Sequence, residues 1–222
     1  MYRYMMYVLL GSFIGCLLEM VWYYGLRGKW MSRKGVLWGL FSPIYGIAIA
    51  GFVFVVEHIV VKNVLRLFML GAVLGSSFEY IASVLQEKVL GTKSWDYSKH
   101  FMNINGRISL GFTFIWGTFS VVVAKVIKPA GDAFYAHIDS PMVNDIIGTM
   151  FFLFMIDCFI SILVCVRQKA RWEGKPAVTP FQKWADEKYN DEKLARIYTE
   201  IRRIDQKAEA KEGVQEEKKA YL

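Results

Sequence analysis

Cysteine and histidine are scarce in this chain, and their scarcity excludes the common frameworks that are built from them. Only three residues of each type occur among 222. The cysteines, Cys16, Cys158 and Cys165, all lie in apolar stretches, where a thiol behaves as a small hydrophobic side chain. We therefore expect no disulfide framework. The histidines show no metal-ligand spacing, so the sequence predicts no metal site and no bound cofactor.

Motifs for ATP hydrolysis, catalysis and nucleic-acid binding are also missing. No G-x4-G-K-[ST] sequence occurs, so the chain has no Walker-type loop with which to bind and hydrolyse ATP. No nucleophile and base set supports an enzyme. The net charge of +7 does not indicate a nucleic-acid partner, because no binding motif accompanies it. The basic run at 167–172 instead resembles an anchor to anionic membrane lipid.

Long apolar stretches dominate the chain, which is 55% hydrophobic. Five stretches of about 20 residues could each cross the ~30 Å hydrocarbon core of a bilayer: 4–26, 36–61, 64–85, 108–127 and 146–166. Backbone groups in lipid must be satisfied internally, which favours helices. The sequence therefore predicts an all-α integral membrane protein with about five transmembrane helices. Its predicted domains are a transmembrane domain over 1–167 and a cytoplasmic charged helical tail over 168–222.

The distribution of lysine and arginine predicts how these helices are oriented. The loops 27–35 and 86–107 together carry eight of these residues, against five on the other side. Three more follow directly after the last stretch. Because cytoplasmic loops are enriched in basic residues, we expect a multi-pass protein of the cell membrane with its N-terminus outside and its C-terminus in the cytoplasm.

One nine-residue pattern occurs twice, sixty residues apart: Gly11-x3-Gly15-x3-Glu19 and Gly71-x3-Gly75-x3-Glu79. Each copy places two glycines and a carboxylate on one face of a helix. Glycines let another helix approach closely. The pattern predicts that the first four helices form a parallel two-helix repeat. If the two glycine faces pack together, the first and third helices are neighbours and both carboxylates face one interior.

The two repeated carboxylates, Glu19 and Glu79, allow three interpretations. They could be structural, pairing with an arginine such as Arg27 or Arg107, or with loop backbone. They could bind a cation, a proton or a cationic substrate, since an ionisable group at membrane depth is costly and by default suggests function. General acid–base catalysis is the third interpretation. Snorkelling of the carboxylate to the interface is a further structural alternative.

Two other segments contain candidate residues. In the second stretch, Pro43 would bend a helix and free backbone carbonyls from their hydrogen bonds. The carbonyls near Pro43 and Tyr45 could then bind a ligand, or the bend could serve packing alone. The loop 89–107 contains Trp-Asp-Tyr-Ser and an Asn-Gly turn signal, and it could gate a site or simply connect two helices. The predicted substrate- or ion-binding candidates are Glu19, Glu79, Arg107, Pro43, Tyr45, Trp95, Asp96 and Asn105.

These segments carry a family resemblance. Glu19 with Arg27-Gly28, Pro43 to Gly46, Glu79, Trp95 to Ser98 and Asn103 to Ile108 resemble the bacterial membrane family named putative ABC-transporter type IV, over about residues 4–167. The resemblance implies a permease-like protein of the bacterial inner membrane that lacks its own ATPase. It would act with membrane lipids, and as a homodimer or with a separate ATPase subunit. The family pattern has Cys where Ser109 stands, which argues against an essential thiol there. A membrane-embedded regulator or assembly protein is the alternative.

The charged tail contains one clear helix start. Thr179-Pro180-Phe181-Gln182 has an N-cap residue, proline at the first helical position and glutamine three residues after the cap. An apolar stripe at helical spacing follows, made of Leu194, Ile197, Ile201 and Ile204 beside Tyr198. The stripe could pack on the cytoplasmic loops, on a partner or on a second copy. From Ala208 onward we expect disorder.

Overall fold

A computed structural model describes residues 1–59 and 63–204. The expected disorder after Ala208 lies outside these residues. The helices are α1 (Tyr2–Arg27), α2 (Pro43–His58), α3 (Val64–Leu90), α4 (Leu110–Val122), α5 (Lys128–Ile138), α6 (Pro141–Trp172), α7 (Pro180–Lys188) and α8 (Asp191–Ile197). A π-helical turn, Val123–Ile127, joins α4 to α5. Two short strands, β1 (Thr92–Lys93) and β2 (Arg202–Arg203), pair in antiparallel register.

Four helices in the described residues are long and apolar enough to cross a membrane: Tyr2–Arg27, Val64–Leu90, Leu110–Ile138 and Pro141–Trp172. The third of these is α4 and α5 joined through the π-helical turn. The protein is thus mostly helical and has the apolar helices of a membrane protein, as the sequence predicts. Several helices extend beyond the predicted boundaries, because polar residues at both ends still continue the helical hydrogen bonding.

The second apolar stretch, 36–61, differs most from its prediction. Residues 28–42 are not helical, and α2 has only 16 residues. Pro43 occupies the first turn of α2, so the predicted kink at Pro43 is wrong. A proline there costs no hydrogen bond, because its missing N–H has no helical acceptor, and its fixed φ suits a helix start. Pro43 therefore begins the helix rather than bending it.

The helices pack as two consecutive pairs, α1 on α2 and α3 on α4, with α6 against α1 and α3. A network of four charges fastens the end of the bundle where the chain begins. Arg3 lies 2.6 Å from Glu57, and Lys128 lies 2.6 Å from Asp132. Arg3 also reaches Asp132 at 3.3 Å, and Lys128 reaches Glu57 at 3.1 Å. The two cations and two carboxylates of this network come from α1, α2 and α5, so the network joins these three helices.

The charged tail folds back onto the membrane helices. α7 begins with the predicted capping box, in which the Thr179 hydroxyl accepts the Gln182 N–H. The prediction of a continuous helical stripe to Ile204 is wrong. Asn190 caps a new helix, α8, which ends at Ile197; residues 199–200 then form a turn, and only Arg202–Arg203 are extended and pair with β1.

The tail stripe is covered by the protein's own residues. Leu194 and Tyr198 are buried in a cluster with Leu37, Val164 and Cys165. The salt bridges beneath it involve Asp186, which lies 2.7 Å from Arg167 and 2.7 Å from Arg171. The stripe therefore packs within its own chain, mainly on α6 and Leu37, and the strand after it pairs with β1 in the loop after α3.

Candidate functional site

The first copy of the glycine pattern makes room for an aromatic side chain of α2. A Cβ atom on Gly15 would lie 2.5 Å from Cγ of Tyr45, so only glycine allows the ring to pack there. The Tyr45 hydroxyl then donates to Glu19 at 3.0 Å. Gly11 likewise faces Gly46 and Ile49 of α2. Helix α2 therefore covers the glycine face of α1.

The second copy repeats this arrangement with a tryptophan of α4. A Cβ atom on Gly75 would lie 2.5 Å from Cγ of Trp116, and the indole N–H of Trp116 donates to Glu79 at 2.8 Å. Gly71 faces Ser120, one turn after the tryptophan, as Gly11 faces Ile49 one turn after Tyr45. We call each set of glycine, aromatic ring and glutamate a lock. The expectation that the two glycine faces pack on each other is wrong, because each is filled by the next helix of its own pair.

The two locks differ in the charge beside the carboxylate. Glu19 pairs with Arg33, whose Nε lies 2.9 Å from Oε1 and whose Nη2 also donates to it. The Arg33 side chain is 8% exposed, and its guanidinium lies 3.8 Å from the centre of the Tyr23 ring. Glu19 is therefore paired with a cation of its own chain, as the structural interpretation expects. Its partner is Arg33 rather than Arg27 or Arg107, and spacing alone could not choose among the four cations of loop 27–35.

Glu79 has no such cation in the described part of the chain. The residue is 5% exposed. Its carboxylate accepts the Tyr97 hydroxyl at 2.8 Å and the Trp116 indole N–H, both of which are neutral donors. Arg107, the predicted partner, lies instead 2.7 Å from Glu87 and donates to Ser83 at 3.0 Å. Glu79 is thus a buried carboxylate held by hydrogen bonds alone.

The loop between α3 and α4 is a self-supported turn that delivers Tyr97 to Glu79. The Asp96 carboxylate accepts the Ser98 N–H at 3.0 Å, and the Trp95 indole donates to the Arg107 carbonyl at 3.0 Å. Gly106 has a φ of 67°, a conformation that favours glycine, and its carbonyl accepts the Tyr97 N–H at 2.7 Å. These contacts fix the loop and leave the Tyr97 ring stacked on Phe112.

Two candidates from this loop therefore hold its shape, and a third links it to α3. Trp95 and Asp96 bond to loop residues, and the Asn105 side chain donates to the Tyr80 hydroxyl at 3.0 Å. Tyr97, which the candidate set missed, is the loop residue that contacts the carboxylate. The sequence feature that could have identified Tyr97 is its position inside the Trp-Asp-Tyr-Ser motif.

A second missed residue is Asp157, in the middle of α6. Its carboxylate accepts the backbone N–H groups of Leu37 at 3.1 Å and Gly39 at 3.0 Å, and that of Trp38 at 3.3 Å. Asp157 is 6% exposed, and the segment it holds is the non-helical stretch just before α2. Non-helical backbone within apolar surroundings needs partners for its polar groups. The signal was visible: Asp157 is the single charged residue of 146–166.

Tyr97 is the neutral partner that the second lock has in place of an arginine. Burial raises the pKa of the Tyr97 hydroxyl, and the neighbouring Glu79 charge raises it further, so the phenol stays a donor at neutral pH. The two locks therefore differ: an arginine lies against Glu19, whereas the described residues place only neutral donors against Glu79.

Three comparisons place the chain among known proteins. No curated protein and no solved structure matches it. A family model described as putative ABC-transporter type IV matches residues 6–162. That range contains both locks, the loop that carries Tyr97 and the anchoring Asp157. Because the match covers well over half of the chain, the protein belongs to the putative ABC-transporter type IV family.

Proposed function

We propose that this protein is the membrane-embedded permease component of a transport system, and that a small monovalent cation binds at Glu79. The supporting observation is the difference between the two locks. Arg33 completes the first lock, whereas the second has a buried carboxylate with two neutral donors. An ionised carboxylate in such a place is costly without a cation. The transported solute supplies the charge that Arg33 supplies in the first lock.

The surroundings of Glu79 suit such a solute. Tyr97, Phe112 and Trp116 present aromatic rings around the carboxylate. Aromatic faces attract desolvated cations, organic ammonium groups among them. The carboxylate also keeps acceptor sites beyond the two that its donors use.

The rest of the proposal concerns how the protein sits and is driven. The chain is multi-pass, with the N-terminus outside and the tail in the cytoplasm, as the distribution of basic residues indicates. The non-helical segment 28–42 together with α2 would supply the fifth predicted crossing, which the stated orientation needs because it requires an odd number of crossings. Energy comes from a separate ATPase subunit or from an ion gradient, and a homodimer is the alternative assembly. The docked tail stripe disfavours the regulator alternative, because the surface that would bind a partner is already covered.

Thermal melting of the purified protein in detergent tests the binding site. We would screen sodium, potassium, ammonium and choline, since a ligand that binds the folded state raises its melting temperature. Glu79→Gln should abolish the rise produced by the active cation. Glu19→Gln, the matched change in the first lock, should lower the starting melting temperature yet retain the rise. Equal rises in wild type and Glu79→Gln would contradict the proposal, as would a panel without effect.

Uptake of the stabilising cation into proteoliposomes then separates transport from binding alone. Wild-type protein should accumulate the cation, with its ATPase partner or an imposed gradient as the energy source. Glu79→Gln protein should not. A cation that binds but never crosses would remove the permease role.

A further inference from the structure

The tail segment 199–204 touches the loops of both helix pairs. At one end, the Thr199 hydroxyl donates to the Ser32 carbonyl at 2.7 Å, and Glu200 lies 2.7 Å from Arg33. At the other end, β2 pairs with β1, and the Ile204 N–H donates to the Gly91 carbonyl at 3.3 Å. This one segment therefore bridges the loop after α1 and the loop after α3.

The bridge is connected to the interior through Arg33. The same guanidinium holds Glu200 of the tail and Glu19 of the first lock. One cation thus serves two carboxylates. When Glu200 leaves, Arg33 and Glu19 remain as a balanced pair, so the tail can detach without stranding a buried charge.

The bridging segment packs Ile201 on the tail cluster and Arg203 over the Trp172 ring, and its contacts with the two loops are the weaker part of its attachment. Its strand pairing is two residues long on each side, and a two-stranded pairing of that kind is marginal without further support. In contrast, the Trp38 indole donates to the Tyr189 hydroxyl at 2.7 Å, and Leu194 is fully buried. The contacts of residues 199–204 with the two loops are therefore easier to break than the docking of α7 and α8.

We propose that residues 199–204 form a latch that ties the loop after α1 to the loop after α3 at the cytoplasmic end of the two helix pairs, and that its release opens a path toward Glu79. The role as a gate rests on the proposed function. The attachment of the latch to both loops does not. The occupant of the closed position is a segment of this chain, so the device is autoinhibitory.

The test measures how readily a reporter cysteine inside the closed end reacts. Ser83 is buried on α3, one turn from Glu79 toward the loop that β2 covers. Ser83→Cys would be introduced after Cys16, Cys158 and Cys165 are changed to alanine. The probe is a charged, membrane-impermeant maleimide applied to the full-length protein in detergent. Glu200→Gln removes the ion pair with Arg33, and Glu192→Gln, an exposed position on α8, is the matched control.

Glu200→Gln should raise the labelling rate about two- to fivefold, the range that follows from losing one partly exposed ion pair. Thr199→Val, which removes the bond to Ser32 without changing charge, should raise it as well. Glu192→Gln should leave the rate unchanged. Equal rates in Glu200→Gln and Glu192→Gln would overturn the latch. Hydrogen exchange supplies a second measurement: residues 91–93 should exchange faster in Glu200→Gln, while α8 should not change.

These measurements use no solute, so the two proposals fail separately. If no cation binds at Glu79 but the labelling rate still rises, the latch stands and the permease assignment falls. If the cation binds and the rate is unchanged, the latch falls alone.

Discussion

The α1–α2 and α3–α4 pairs both pack an aromatic ring against a glycine, but they differ in the partner of the neighbouring glutamate. In each pair a glycine admits an aromatic ring, and the ring donates to a glutamate one turn along. The first glutamate meets Arg33 from its own loop, whereas the second meets Tyr97 from a longer loop. The shared lock explains why glycine and glutamate recur at fixed spacing. The difference in partner is the basis for proposing a helix-fastening role for Glu19 and a binding role for Glu79.

The largest expected effect comes from removing the cation of the first pair. Arg33→Gln leaves Glu19 and Glu200 without their partner in a mostly buried place. Breaking a buried ion pair costs about 3–5 kcal/mol, so the free energy of unfolding should fall by a large part of that. Arg27→Gln, in the same loop but exposed, should change little. Denaturant unfolding of both variants measures the difference, and equal stability of the two would refute the structural role of Arg33.

Filling the glycines should harm both pairs alike. Gly15→Ala and Gly75→Ala place a Cβ atom 2.5 Å from an aromatic ring. Such overpacking costs ~1–3 kcal/mol, which thermal melting would report as a clear drop. Gly25→Ala is the control in α1, since nothing lies within 4 Å of its added Cβ. A tolerated alanine at either position would show that the rings are not seated on the glycines.

The two glutamates should respond differently to the same neutral change. Glu79→Gln strands no cation, and its amide can accept from Trp116 and donate to the Tyr97 oxygen. We expect its unfolding free energy to stay within ~1 kcal/mol of wild type, the net value of one hydrogen bond. Glu19→Gln loses the charge-assisted hydrogen bonds from Arg33 and should be the less stable variant. Melting curves of the two variants recorded side by side show which is less stable. A Glu79→Gln variant less stable than Glu19→Gln would contradict the proposed difference between the two glutamates.

Sequence reasoning located the carboxylates, the glycines and the tail capping box because each depends on local spacing. Helix periodicity places Gly15 and Glu19 on one face, and Thr179 with Gln182 is a local signature. Sequence reasoning failed where a contact joins segments that are distant along the chain. Asp157 and residues 37–39 are more than a hundred positions apart, and that contact is what allows α2 to start at Pro43. The choice of Arg33 over Arg27, and of Tyr97 over Asp96, likewise depends on how loops fold.

The smallest expected effect concerns the tail that bridges the two pairs, and it depends on pH. The hydrogen bonds from Arg167, with further contribution from Arg171, hold the pKa of Asp186 below its ordinary value near 4. A carboxylate with a depressed pKa adds stability that is fully present above its ordinary pKa and is lost as pH falls through the folded value. Asp186→Asn mimics the protonated form. Its melting temperature should therefore lie below that of wild type at neutral pH, and the gap should close on acidification below pH ~4. Asn substitution of Glu187, exposed on the same helix, should leave wild-type behaviour at every pH. A gap that stays constant into acid would show that Asp186 does not hold α7 against α6 through its charge.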